Sequence, residues 1–263
     1  MQQFVVTVPA HEVELASDVL WGLGVVAVEE RVIDDAVELW TSLGDDADAS
    51  DVDPDGRFPW PWRFVEVNAA VADTWRQFAR PIEISPSLVV RPMWVPFDGP
   101  GTVLHIEPGA TFGMGDHPTT ILCLRAVERL VAPGATVLDV GCGSGVLAIG
   151  AMALGASAAV GVDIAPAAVP VTSANARANG VHVTVSTMPL DEVGGEFDLV
   201  LANILAPALV ALAPHLRRVT RGTLVVSGIL ADAHDHVLAA LAPMRVVRTD
   251  TLDGWAAVTL AHP

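Results

Sequence analysis

Residues 137–145 read VLDVGCGSG, and VLAIGAMAL (146–154) follows without a break. A run of strand-forming apolar residues ends in Gly141, Gly143 and Gly145, and the period then changes from that of a strand to that of a helix. A buried strand that turns on glycine straight into a helix is the first unit of a doubly wound parallel sheet. Glycine lets the backbone turn tightly and come close to a ligand, and the start of the helix offers free N–H groups.

Spacing narrows the ligand. A dinucleotide fingerprint has the form GxGxxG, but its third glycine position is occupied here by Val146. GxGxG with Asp139 just ahead suits the nucleoside–methionine cofactor of methyltransferases better than NAD. Asp163 closes the next predicted strand, SAAVGVDI (157–164), where a carboxylate can accept hydrogen bonds from both hydroxyls of a ribose. Its plainer alternative is to cap the helix over 166–179. Asn203 ends the predicted strand FDLVLANI (197–204), with a turn before Pro207 as the plainer role. Ligands of open parallel sheets sit beyond the carboxyl ends of the strands, so Gly141, Asp163 and Asn203 should converge. Upstream, EPGATFGMGDHPTT (107–120) is a glycine-rich loop that enters a helix at Pro118, with Asp116 or His117 as its cap. Placed just before the cofactor strand, such a segment can cover the site.

Working outward, helix and strand alternate to the C-terminus. Helices are predicted over 121–130, 146–154, 167–180, 208–219 and 233–241. Strands are predicted over 135–140, 157–164, 181–186, 197–204 and 223–229, and 244–252 with 254–261 reads as a closing antiparallel pair. The N-terminal part reads as a small α+β unit. It has strands at 3–8, 25–33, 36–43 and 62–68, a helix at 11–23 stopped by Gly24, an acidic loop at 44–56 and a short helix or linker at 73–79. Prolines at 81, 86, 92, 96 and 100 punctuate the passage between the two parts.

Composition excludes several classes. The 31 acidic and 14 basic residues give a formal charge of −17; every basic residue is Arg, and Lys and Tyr are absent. Nothing in that balance neutralises many phosphates or seeks an anionic membrane. Two cysteines, Cys123 and Cys142, form no CxxC pair, and His234 and His236 lie on different faces of their helix, so no metal site is expected. Cys142 sits in the glycine turn as a small residue and not as a nucleophile. Mean hydropathy is +0.48, and residues 140–162 carry no charge. Six glycines and the change of period make that stretch strand, turn and helix, not a membrane span. The N-terminus has no basic signal-peptide region, and a cytoplasmic protein is expected. Residues 1–100 hold 18 acids against 6 Arg, together with six of the seven Trp, so the two parts have different jobs.

Taken together, EPGATFGMGDHPTT, VLDVGCGSGVLAIGAMALGA, GVDIAPAAVPVTSANARANGV, FDLVLANILAPALVALAP and LVVSGILA resemble, in this order, the PrmA family of ribosomal protein L11 methyltransferases. FGxGxHPTT with ANILA is the specific part; GxGxG is common to many methyltransferases. The resemblance is dense over 105–235 and loose over 1–100. It implies an α/β chain with a doubly wound Rossmann-like methyltransferase sheet and a small N-terminal α+β, ferredoxin-like domain. Residues 1–70 would dock the substrate, 71–98 would be a linker helix and strand, and 99–263 would be the methyltransferase domain. S-adenosylmethionine would be held by Thr120, Gly141, Gly143, Gly145, Asp163 and Asn203, with Phe112 offering a cation–π face to the sulfonium. Asn203 would act beside the transferred methyl. The family usually has Thr where Met114 stands.

The implied acceptors are Lys side chains and the N-terminal amine of ribosomal protein L11, taken up by a monomer. Another protein or a small molecule as acceptor, an NAD(P)-dependent oxidoreductase, and a cofactor-binding regulatory module are the competing readings.

Overall fold

The computed structural model describes residues 2–23, 25, 28–33, 36–43, 47–53, 58–66, 80–107 and 115–263. Outside them fall Gly24, the Asp34–Asp35 turn, residues 44–46 and 54–56 of the acidic loop, the 73–79 stretch with Trp75, and both Phe112 and Met114. The chain divides into two compact units, Met1–Ala79 and Arg80–Pro263.

In the first unit, the alternation in QQFVVTVP makes β1 (Gln2–Pro9), which sends Phe4, Val6 and Val8 to one face. A 3-10 turn (Ala10–Glu12) leads into α1 (Val13–Gly22), which returns Ala16 and Leu20 to that same core. Strands β2 (Glu29–Ile33), β3 (Ala36–Thr41) and β4 (Trp62–Glu66) complete an antiparallel sheet of order β2-β3-β1-β4. With α2 (Ala49–Val52) before β4, this is the βαββαβ order of a ferredoxin-like unit. The single turn of α2 falls inside the stretch read as loop, and the Asp53 carboxylate that follows it accepts from the Phe58 N–H at 2.9 Å. The Phe4 ring meets Phe58, Trp62 and Phe64 with centroids 5.4–5.9 Å apart.

The second unit opens with a feature that the prolines concealed. The expected linker 71–98 divides: residues 80–98 belong to this unit, and β5 (Ile82–Ser85) and β6 (Leu88–Arg91) pair as a hairpin. Strand β6 also runs parallel to β7 (Thr102–His105), for which the sequence suggested no strand. Ile84, Leu88, Val90, Leu104 and Ile106 are buried in one core with α3 (Pro118–Leu130) and α4 (Val146–Ala153).

The main sheet holds β8 (Thr136–Val140), β9 (Ala158–Val162), β10 (Thr184–Ser186), β11 (Phe197–Asn203), β12 (Thr220–Leu230), β13 (Arg245–Leu252) and β14 (Trp255–Ala261). Its order is β10-β9-β8-β11-β12-β14-β13. The first five strands are parallel, and β14 is antiparallel to both of its neighbours, as the closing pair required. Alternate residues face opposite layers. Val137, Leu199 and Leu201 join the α3–α4 core, while Leu138, Val140 and Val200 join α6 (Ala206–Val219) and α7 (Asp235–Ala240) on the other side. Helix α5 (Ala168–Ala178) follows β9. Winding goes one way from β8 to β10 and the other way through β11 and β12, so the switch point lies between β8 and β11. Among the described residues, no helix is long and apolar enough to cross a membrane.

Candidate functional site

At the switch point the glycine turn leaves β8. Gly141 (φ +72°) and Gly145 (φ +80°) are in left-handed conformations that side chains rarely adopt. A Cβ on Gly141 would lie 2.3 Å from Cγ2 of Ile204, so the exits of β8 and β11 touch only because this residue is glycine. The Gly145 N–H closes the turn on the Cys142 carbonyl at 2.7 Å, and Gly145 is the N-cap of α4.

Asp163 follows β9, next to that turn. Its carboxylate accepts from the Gly143 N–H at 2.8 Å and from the Ala165 N–H at 2.9 Å. The alternative role, capping the next helix, is not taken up: α5 begins after Ala167, four residues beyond Asp163, with no side-chain capping bond. Gly143 and Asp163 are therefore brought together directly.

Asn203 is the last residue of β11 and is half-buried. Its Nδ2 lies 3.5 Å from the Oγ1 of Thr120, a long contact between a strand end and the first turn of α3. Thr120 is buried because α3 starts at Pro118 and packs that turn inward. The cap of α3 is His117, whose Nδ1 accepts from the Thr119 N–H at 3.3 Å and lies 2.7 Å from the Thr119 hydroxyl. Of the sequence-predicted site residues, Thr120 and Asn203 thus form one contact and Gly143 and Asp163 another. Gly141, packed on Ile204, joins the two, and Phe112 lies outside the described residues.

Beneath the turn is Asp139. It occupies an α3–α4 position of β8 where the neighbouring strand offers Leu201, and it is fully buried. One oxygen accepts from the Ala148 N–H at 3.1 Å; the other has no hydrogen-bond partner. Burial pushes this carboxyl up to about 7, with Asp163 adding to the rise and the Ala148 bond opposing it. Burial likewise pushes the Cys123 thiol up to about 12 and the Cys142 thiol further, so neither is a thiolate nucleophile at neutral pH.

Two groups of residues escaped the sequence reading. Trp255 starts β14 opposite Leu230, the last residue of β12, and packs edge-on against the His117 ring with centroids 5.0 Å apart. Only the antiparallel placement of β14 puts a strand start at the edge where the other strands end. The second group is Thr172 and Asn175 of α5, which bond to the Gly143 and Ser144 carbonyls of the turn, and Asn179 at the end of that helix, which bonds to the His105 carbonyl. The scarcity of Asn was a signal: the chain has four, and three of them, Asn175, Asn179 and Asn203, lie in the second unit.

The family profile described as ribosomal protein L11 methyltransferase (PrmA) matches residues 65–262. A curated protein of that name from Geobacter metallireducens is 47% identical over 171 residues, covering 64% of this chain and 57% of its own length. One from Symbiobacterium thermophilum is 40% identical over 220 residues, covering 81% of this chain and 70% of its own. The match thus spans less than two thirds of the Geobacter protein. A solved structure of ribosomal protein L11 methylase from Lactobacillus delbrueckii subsp. bulgaricus aligns at 31% identity and a TM-score of 0.64, covering 70% of this chain and 98% of that one. On a profile match over most of its length, the chain belongs to the ribosomal protein L11 methyltransferase (PrmA) family.

Proposed function

We propose that this chain transfers methyl groups from S-adenosylmethionine to amines of ribosomal protein L11, at Lys side chains and at the N-terminal amine. The observation that carries the reading is the meeting of glycine turn, Asp163, Asn203 and Thr120 beyond the strand ends, at the switch point of the sheet, in a member of this family. The residues present fit such a cofactor. A buried carboxylate with one unpartnered oxygen, Asp139, stands beside the turn, and a cationic ligand is what such a group favours. An NAD(P) reading has no comparable support, because Val146 already begins α4 where the third glycine of that fingerprint would stand.

Gly141, Gly143 and Gly145 would let the backbone approach the ligand, Asp163 would hold the ribose through the lone pairs its two N–H donors leave free, and Thr120 and Asn203 would flank the methyl. S-adenosylmethionine supplies a methyl already activated on a sulfonium, so the protein has mainly to align the nucleophile in line with the breaking C–S bond. The acceptor amine must first lose a proton. At pH 7 that costs ~4.6 kcal/mol for Lys and ~1 kcal/mol for an α-amine. A dry pocket lowers the amine's pKa and offsets part of the cost. The Asn203 side-chain carbonyl, with nearby backbone carbonyls, then holds the neutral amine with its lone pair towards the methyl, and no dedicated general base is needed.

The N-terminal unit would dock the substrate. Residues 1–100 carry a net charge of −12, which suits steering of a basic ribosomal protein. We read the chain as a cytoplasmic monomer. The test is transfer of labelled methyl to purified ribosomal proteins: label should appear in L11 and the rate should fall steeply with salt. Label on another protein alone would overturn the assignment of the substrate.

A further inference from the structure

Helix α5 carries Thr172 and Asn175, and Asn179 is its C-cap; spacings of three and four place the three along one face. Each of them bonds to backbone of other segments. The Thr172 hydroxyl donates to the Gly143 carbonyl at 3.0 Å. The Asn175 amide donates to the Ser144 carbonyl at 3.0 Å and to the Glu107 carbonyl at 3.3 Å, while its oxygen accepts from the Glu107 N–H at 3.0 Å. Asn179 repeats the pattern one turn on: its oxygen accepts from the His105 N–H at 2.8 Å and its amide donates to the His105 carbonyl at 2.7 Å. Asn175 is 1% exposed, and each end of its amide meets backbone groups of matching polarity, so a flipped amide would set like against like.

One face of one helix therefore ties two separated pieces of chain. The first is the glycine turn, by the carbonyls of Gly143 and Ser144. The second is the end of β7 and the residues after it, by both polar groups of Glu107 and His105. With those two carbonyls bound behind the turn, its backbone is held in one orientation before any ligand arrives. Thr172 is also fitted to the turn by shape, since a Cβ on Gly145 would come within 2.6 Å of its methyl.

We propose that Thr172 and Asn175 are positioning residues for cofactor binding: they fix the glycine turn, and Asn175 fixes it relative to Glu107. The proposal rests on the reading that this turn holds S-adenosylmethionine. Neither residue touches the reacting atoms; both act through the backbone they hold. Asn179 bonds only the β7 side and its own helix, which makes it an internal control.

The experiment compares the wild-type chain with Asn175→Asp, Thr172→Val and Asn179→Asp. For each, Kd for S-adenosylmethionine is measured by calorimetry, KM and kcat by labelled-methyl transfer, and thermal midpoint by scanning. Asn175→Asp keeps the acceptor for Glu107 N–H but sets a carboxylate against two carbonyls. Thr172→Val keeps the shape and loses the donor, and it serves if Asn175→Asp does not fold. Both should raise Kd and KM for the cofactor about tenfold, with kcat at saturation changed by less than about threefold. Asn179→Asp should lower the thermal midpoint while leaving the cofactor Kd within about twofold. If wild type binds the cofactor and both α5 variants bind it equally well, this inference falls and the proposed function stands. An equal loss of affinity in Asn179→Asp would also overturn it, because a merely structural role would then suffice. If wild type does not bind the cofactor, both fall.

Discussion

The two edges of the main sheet treat their carboxylates in opposite ways. At the amino edge, Asp198 accepts from the Thr136 N–H and hydroxyl, each at 2.9 Å, and pairs with Arg221 at 2.5 Å. These donors hold its carboxyl at about 2, the Thr136 N–H contributing most. At the carboxyl edge, Asp139 has one N–H partner and an unpartnered oxygen, and burial lifts it to about 7. One edge is a closed staple that joins β8, β11 and β12. The other carries glycines in left-handed conformations, a half-satisfied carboxylate and the long Thr120–Asn203 contact. Polar groups left short of partners beside permissive backbone are what a ligand site costs the fold, and among the described residues of the main sheet Asp139, at the carboxyl edge, is such a group.

Substitutions on the two edges should therefore separate binding from stability. Gly141→Val should have the largest effect. It puts a branched side chain at φ +72°, against Ile204, and should cut cofactor affinity by more than about a thousandfold as seen by calorimetry. Asn203→Ala comes next. If Asn203 aligns the amine as proposed, its loss should lower kcat about a hundredfold in the labelled-methyl assay while the thermal midpoint barely moves.

Asp139→Asn probes the raised carboxyl. The group's ordinary value is 3.8 and its folded value about 7, so the folded state keeps a proton that the unfolded chain releases. Through this group, stability is greatest below about pH 4 and declines as pH rises to 7. Relative to Asp139→Asn, the wild type should therefore lose about 1 kcal/mol between pH 6 and 7.5 in denaturant titrations. At the amino edge the smallest effect is expected. Asp198→Ala should lower the thermal midpoint by about 2–4 °C and leave cofactor affinity unchanged. Equal loss of cofactor binding from both edges would dissolve the contrast.

What could be read from the sequence follows the same division. The placement of Gly141, Asp163 and Asn203 at one edge was legible because each stands at or just past the end of a strand, and in a parallel sheet all such ends meet at one edge. The main sheet and its closing antiparallel pair came from plain alternation of periods. Within 71–98 a single strand was expected where β5 and β6 form a hairpin, and β7 did not emerge at all; each is four residues long and set among prolines that signal irregular chain. The roles of Asn175 and Trp255 were also hidden. One depends on where α5 lies against the glycine turn, the other on β14 running opposite to its neighbours, and neither leaves a local pattern. The engagement of Asp163 with Gly143 was hidden for the same reason: two turns twenty residues apart meet only once β8 and β9 pair.

The central claim is that the carboxyl edge, between β8 and β11, binds S-adenosylmethionine. Calorimetric titration of the full chain with that cofactor tests it most directly, run side by side on wild type, Gly141→Val and Asp198→Ala. The account predicts saturable one-site binding to wild type and Asp198→Ala, and none to Gly141→Val. Absence of heat with wild type at millimolar cofactor, or equal binding by folded Gly141→Val, would contradict it.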